Sequence, residues 1–211
     1  MITFFHLISF KNACIGKYFL TLKGDPLLKL TKEQHEAIIG LALGDLYLFK
    51  GRQNVKLRFK QGAKNSLYLV HLFELFYDYF SSLPKFSSLL DKRTNKVYYS
   101  VIANTRQSPI FNYYHSLFYN SEGKKVVLSN IGDLLSPRGL AYWLMDDGYC
   151  DIYTVYLCTD SFTLEEVELF IKVLHSNFGL VATLQKRVQK QETLGELDLV
   201  VKLKTLIYFV L

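Results

Sequence analysis

The chain has 211 residues, about one large domain by size, and half of them are hydrophobic, including 16 Phe and 15 Tyr, which argues against global disorder. No run of about 18 uncharged apolar residues occurs, which argues against an integral membrane protein. The balance of 25 Lys and Arg against 19 Asp and Glu gives a net charge of +6, and the three cysteines (Cys14, Cys150, Cys158) share no metal-ligand spacing, which points to a reducing compartment without a disulfide framework or zinc site.

Residues 1–30 form an N-terminal extension. Its apolar start, MITFFHLISF, is interrupted by Lys11 and Lys17 and lacks the charge order and cleavage pattern of a signal peptide. Thr31 then caps a helix that runs through Ala37, Ile38, Ile39, Gly40, Leu41, Ala42, Leu43 and Gly44 to Asp45. It is apolar almost all round and should be buried. Gly40 and Gly44 share one face, a spacing that lets two helix backbones approach closely.

Between Tyr47 and Arg106 stand 11 basic and three acidic residues, a local excess of +8 that leaves the rest of the chain slightly acidic. A polyanion partner is expected on this stretch. Within it Val55, Lys56, Leu57, Arg58, Phe59 and Lys60 alternate strictly, so a strand there turns three cations to one face. Three like charges in a row repel one another unless phosphate lies against them. Residues 65–80 have helical periodicity, and 92–105 read as a strand behind a turn at Thr94 and Asn95. Ser108 and Pro109 open a short helix to Tyr119.

Ser136 and Pro137 start a further helix, which ends on Asp146, Asp147 and Gly148. A capping box of Thr163 and Glu166 opens the clearest helix of the second half, closed by Gly179. Two helices thus end in carboxylates, where the helix dipole makes an acid cost about 0.3 to 1 kcal/mol. One such acid is an ordinary loop residue. Two of them beside a basic face point to a divalent cation, for which Mg²⁺ bound by one or two carboxylates, water and phosphate is the natural form.

The segments IIGLALGDL (38–46) and LAYWLMDDG (140–148) resemble the paired signature helices of the LAGLIDADG homing endonucleases, in their two-motif single-chain form. The resemblance implies an α+β fold of two pseudo-symmetric αββαββα halves, residues 31–133 and 134–211. In it the signature helices lie at the axis and antiparallel saddle sheets face DNA. It implies an intron-encoded, Mg²⁺-dependent DNA endonuclease acting as a monomer on a long double-stranded target site, and a mitochondrial or chloroplast origin. The last acid of each motif, Asp45 and Asp147, takes the metal-ligand place, and Asp146 a non-ligand place. Lys125 matches the lysine that polarises the attacking water. Gln61 matches a polar residue that orients it, with Asp160 as its counterpart in the second half. Arg52, Lys56, Arg58, Lys60, Lys92, Arg93 and Lys96, with Lys186 and Arg187 in the second half, are the expected DNA contacts. Since Asp45 and Asp147 are 102 residues apart, the partner of Lys125 falls near position 227, so the second half is expected to be short at its C-terminus, with Lys202 and Lys204 the nearest substitutes. A catalytically impaired maturase that binds intron RNA on the same basic saddle is the alternative.

Overall fold

The computed structural model describes residues 29–151, 154–187 and 198–203. The expected N-terminal extension lies outside the described residues except for Lys29 and Leu30, as do Lys204 and the remainder of the C-terminal segment. The first half consists of α1 (Lys32–Leu43), β1 (Tyr47–Lys50), β2 (Val55–Gly62), α2 (Ser66–Leu75), β3 (Lys85–Asp91), β4 (Lys96–Asn104) and α3 (Asn112–Phe118). Then come the single-turn α4 (Ile131–Leu134), α5 (Pro137–Asp147), β5 (Gly148–Asp151), β6 (Thr154–Cys158), α6 (Leu164–Phe178), β7 (Ala182–Arg187) and β8 (Asp198–Leu203). The strands make two antiparallel four-stranded sheets of the same order, β1-β2-β4-β3 and β5-β6-β8-β7. One plan is therefore built twice.

The local signals act where the sequence places them. Thr31 closes a capping box with Gln34, and Thr163 closes one with Glu166, each satisfying orphan N–H groups of a first turn. Ser136 accepts from the Gly139 N–H ahead of Pro137, and Gly179 ends α6 in the left-handed conformation at φ 65°. Asn95 takes φ 53° in the β3–β4 turn. Every residue of α1 from Ala37 to Leu43 is buried, as an all-round apolar helix requires.

Two boundaries and one strand differ from what the sequence predicts. Helix α1 stops at Leu43 with Gly44 as its cap, so Asp45 stands beyond the helix instead of in its last turn. Helix α2 stops at Leu75, and a 3₁₀ turn over Tyr77–Tyr79 then sinks Tyr79 and Phe80 into the core. Strand β3, of sequence KFSSLLD, shows no alternation in burial; its ladder with β4 from Lys85↔Ile102 to Asp91↔Lys96 makes it a strand.

The two halves meet at α1 and α5. Gly40 faces Gly139 so closely that a Cβ on Gly40 would stand 1.9 Å from the Gly139 carbonyl oxygen. At the N-terminal end, Arg138 Nη1 donates to Glu36 Oε2 at 3.0 Å. Helix α4, which spans the expected division between the halves, leans on α6: Asn177 donates to the Gly132 carbonyl at 2.6 Å.

Candidate active site

Each signature helix leads into the first strand of a sheet, α5 directly and α1 after three residues, so the acids at their C-terminal ends stand at the start of the two sheets. Asp45 lies between α1 and β1, and Asp147 immediately precedes β5. The two carboxylates are close enough that Asp45 pushes the Asp147 carboxyl up. Gln61, on the inward side of β2 and buried, donates Nε2–H to Asp45 Oδ2 at 3.5 Å and to Asp146 Oδ1 at 3.3 Å. Leu41, Leu46, Phe59, Lys60 and Leu72 complete the narrow cleft around Asp45, Gln61 and Asp146.

Lys125 reaches this point from the connection between the halves. There Asn120 Oδ1 accepts from the N–H groups of Glu122 and Lys124, Gly123 takes φ 76°, and Lys125 bridges back to Tyr119. Its Nζ donates to the carbonyls of Gly44 at 2.7 Å and Leu43 at 3.2 Å. The negative end of α1, which the sequence reading balanced with a metal alone, is thus partly balanced by an ammonium group. Two of the three ammonium protons are used on those carbonyls, and one remains.

Burial governs the protonation of the cluster. It raises the Asp45 carboxyl, opposed by Lys125 and then by the Gln61 amide. It raises Asp147 to about 6, with the Asp45 charge adding to the rise and Lys125 and Trp143 opposing it. It raises Asp146 to about 7, against the hydrogen bond from the Asp45 N–H. It also lowers the Lys125 ammonium, against the pull of Asp147, Asp45 and Asp146. Three carboxyls thus share the centre with one ammonium group, and burial disfavours the charged form of each. All donors there are oxygen, the chemistry of a hard divalent cation. Among the described residues no group of three or more His, Cys, Asp or Glu is arranged to hold a metal by itself. The donor set accordingly fits a cation whose shell is completed by phosphate and water.

The raised carboxyls have a measurable consequence. A group protonated more readily in the folded than in the unfolded chain contributes stability that is present at low pH and lost as pH climbs through its folded pKa. For Asp146 and Asp147 that window runs from about pH 4 to pH 7. Thermal unfolding of the metal-free protein is expected to weaken by about 2 kcal/mol across it, after allowance for partial exposure. A divalent cation that binds these carboxylates should then raise Tm at pH 8 and leave it nearly unchanged at pH 5. A metal-free Tm that is flat across this range would contradict the burial of these two carboxyls.

The basic strand lies as the alternation requires. Val55, Leu57 and Phe59 are buried, while Arg58 and Lys60 are exposed and Lys56 is half-exposed on the opposite side. The register places Tyr47 and Phe49 of β1 beside Arg58 and Lys56, and the Lys56 ammonium sits 4.7 Å from the Phe49 ring centre. Arg52 occupies the β1–β2 turn, Lys92 and Arg93 the exposed tip of the β3–β4 hairpin, and Lys96 the start of β4. In the second sheet the matching surface is aromatic: Tyr149 and Tyr156 stack at 4.9 Å, and the Lys202 ammonium lies 5.9 Å from the Tyr156 ring centre. Lys186 and Arg187 occupy β7 positions opposite Leu199 and Asp198; their side chains lie outside the described part.

The registers also revise one equivalence. Tyr47 pairs with Arg58 and Tyr149 with Tyr156, so three places further along, Gln61 corresponds to Thr159 and not to Asp160. Thr159 is fully buried, whereas Asp160 is exposed and raises the Asp147 carboxyl by its charge.

Two neighbours escaped the sequence reading. The Trp143 indole and the Tyr68 hydroxyl are buried without a well-formed hydrogen bond, yet they face Asp147 and Asp146 respectively. Trp143 stands one helical turn before Asp147, a spacing that could have revealed it. Tyr68 comes from α2 and carries no local signal.

The sequence profile of the LAGLIDADG DNA endonuclease family matches residues 35–201, from the first signature helix into the last described strand. The chain belongs to this family. Among LAGLIDADG relatives, a probable intron-encoded endonuclease of Wickerhamomyces canadensis is 31% identical over 158 residues, covering 72% of this chain and 68% of the relative. A cytochrome b mRNA maturase, bI2 of Debaryomyces hansenii, is 30% identical over 186 residues, covering 86% and 69%. Of solved LAGLIDADG structures, the homing endonuclease I-WcaI bound to its DNA recognition sequence superposes with a TM-score of 0.73 at 26% identity, over 90% of this chain and 80% of that one. The mixed fold with two antiparallel four-stranded sheets is that of the homing endonucleases.

Proposed function

We propose that the protein is a site-specific DNA endonuclease that hydrolyses phosphodiester bonds in a long target site, with Mg²⁺ as its metal, and so promotes mobility of the organellar intron that encodes it. The observation that carries this reading is the meeting of Asp45 and Asp147 at the ends of two helices in backbone contact, beside a basic, aromatic-lined sheet.

Residues 31–133 and 134–211 act as two halves of one monomer across the DNA. Asp45 and Asp147 are the metal ligands, one carboxylate from each half. A bound divalent cation supplies Lewis-acid polarisation of the phosphate and a water of lowered pKa. Gln61, whose amide already rests on Asp45, orients the reacting water. Lys125 keeps one ammonium proton for that water while its other two hold the end of α1. Arg52, Lys56, Arg58, Lys60, Lys92, Arg93 and Lys96 contact the DNA backbone and base edges from the first sheet, and Lys186 and Arg187 do so from the second.

The phosphate contacts are tested by salt dependence. Replacing Lys56, Arg58 and Lys60 together by alanine should reduce the slope of log affinity against log salt by roughly 2 to 3, read by fluorescence anisotropy. An unchanged slope would remove this face from the interface.

The similarity to a maturase favours a second reading, in which the saddle binds intron RNA and assists splicing. One experiment separates the two. The Asp45→Ala, Asp147→Ala double variant should lose cleavage of the intronless allele, whereas splicing assistance does not need the carboxylates. Wild-type protein that promotes splicing and leaves bound target DNA intact would overturn the endonuclease reading.

A further inference from the structure

The two signature helices do not end alike, and Asp146 stands where they differ. Asp146 and Gly44 hold equivalent places, each one residue before a proposed metal ligand. Only one of them can carry a side chain: a Cβ on Gly44 would stand 2.6 Å from the Asp146 Cβ and 2.7 Å from its Oδ2. In α5 the backbone stays helical through Asp147, with the Gly148 N–H donating to Leu144. In α1 the ladder breaks early. Gly44 N–H still reaches Gly40, Leu46 N–H skips back to Leu41, and the Asp45 N–H between them donates to Asp146 Oδ2 at 3.1 Å. The other Asp146 oxygen accepts from Gln61, and the Tyr68 hydroxyl faces the same carboxylate.

We infer that Asp146, in the non-ligand place of the second motif, is a positioning residue that clamps the Asp45 backbone and the Gln61 amide across the halves, so that the two cleavage centres depend on it unequally. The inference rests on the endonuclease reading for its consequence in cleavage, while the clamp itself is a property of the folded chain. Alanine at 146 keeps the Cβ against Gly44 and removes both acceptors. Asparagine can still accept from the Asp45 N–H and donate to a rotated Gln61 amide, so it restores the clamp without the charge.

The test uses the full chain and two readouts. On target DNA labelled on each strand, Asp146→Ala should slow the cut made at the Asp45 centre by about 10- to 100-fold, the range of outer-shell losses, and change the ratio of the two strand cuts at least about tenfold. Asp146→Asn should return the ratio to within about threefold of wild type. Equal slowing of both strands, or an asparagine variant as impaired as alanine, would overturn the inference. Amide hydrogen exchange of the metal-free protein reads the clamp without catalysis: protection at the Asp45 N–H should be lost in Asp146→Ala and recovered in Asp146→Asn. Retained protection in Asp146→Ala would overturn it too. If the wild-type protein cuts no DNA, the endonuclease reading fails while the exchange result still decides the clamp.

Discussion

Replacing either Asp45 or Asp147 by alanine is expected to slow DNA cleavage about a thousandfold or more while leaving affinity for the target within a few-fold. Each side chain is the proposed carboxylate ligand of one of the two cleavage centres, and among the described residues no enclosing set of other ligands surrounds it, so its loss removes the protein's main proposed hold on the metal there. Metal-borne charge stabilisation is worth several kcal/mol in the transition state, and each 1.4 kcal/mol is tenfold in rate. Affinity should persist because the proposed DNA contacts lie on the sheet face, not in the cleft. Binding will if anything tighten, since the change removes a negative charge close to the phosphates. Single-turnover rates together with anisotropy titrations check both halves of the statement. Cleavage that survives Asp147→Ala would detach the second motif from the chemistry.

The second large effect is structural. Glycine to alanine within an exposed helix ordinarily stabilises by about 1 kcal/mol, so the expected sign at Gly40 is the reverse of the usual one. A methyl group there meets the Gly139 carbonyl at 1.9 Å, and a backbone atom in a packed helix cannot turn aside as a side-chain tip can. The helices must separate, which opens the buried layer of Ile38, Ile39, Leu41 and Trp143 and moves Asp45 away from Asp147. Gly40→Ala should cost about 3 kcal/mol or more, a fall in Tm of roughly 10 °C for a chain of this size. Gly62→Ala serves as the control, because nothing lies within 4 Å of its added methyl. Calorimetry or circular dichroism melts of the two variants decide the point; an unchanged Tm in Gly40→Ala would mean that the axis is not packed as described.

What the sequence revealed and what it hid divide along the reach of the signals. Thr31, Ser136, Thr163 and Gly179 act within a few residues of themselves, and the helix termini they specify stand where the sequence places them. The alternation from Val55 to Lys60 likewise reports its own two faces. Strand β3 was hidden because Ser87, Ser88 and Leu89 carry no period of two; its identity comes from β4. The early end of α1 was hidden for a related reason, since Asp146, 101 residues away, supplies the acceptor that lets the Asp45 N–H leave the helix. The correspondence of Gln61 with Thr159 instead of Asp160 follows from the strand registers, Tyr47 opposite Arg58 but Tyr149 opposite Tyr156, a difference that a fixed spacing between motifs cannot show. The position of Lys125 was indicated by resemblance, but its use of two protons on the α1 carbonyls appears only when the connecting hairpin folds back onto the helix.

The most direct measurement is cleavage of the intronless target by the full chain, with both strands end-labelled, in Mg²⁺ and again in excess EDTA. Fragments from a single site should appear in Mg²⁺, vanish in EDTA and return when Mg²⁺ is restored. Intact DNA in the presence of Mg²⁺, with the protein shown to be folded and bound to the target, would contradict the endonuclease reading.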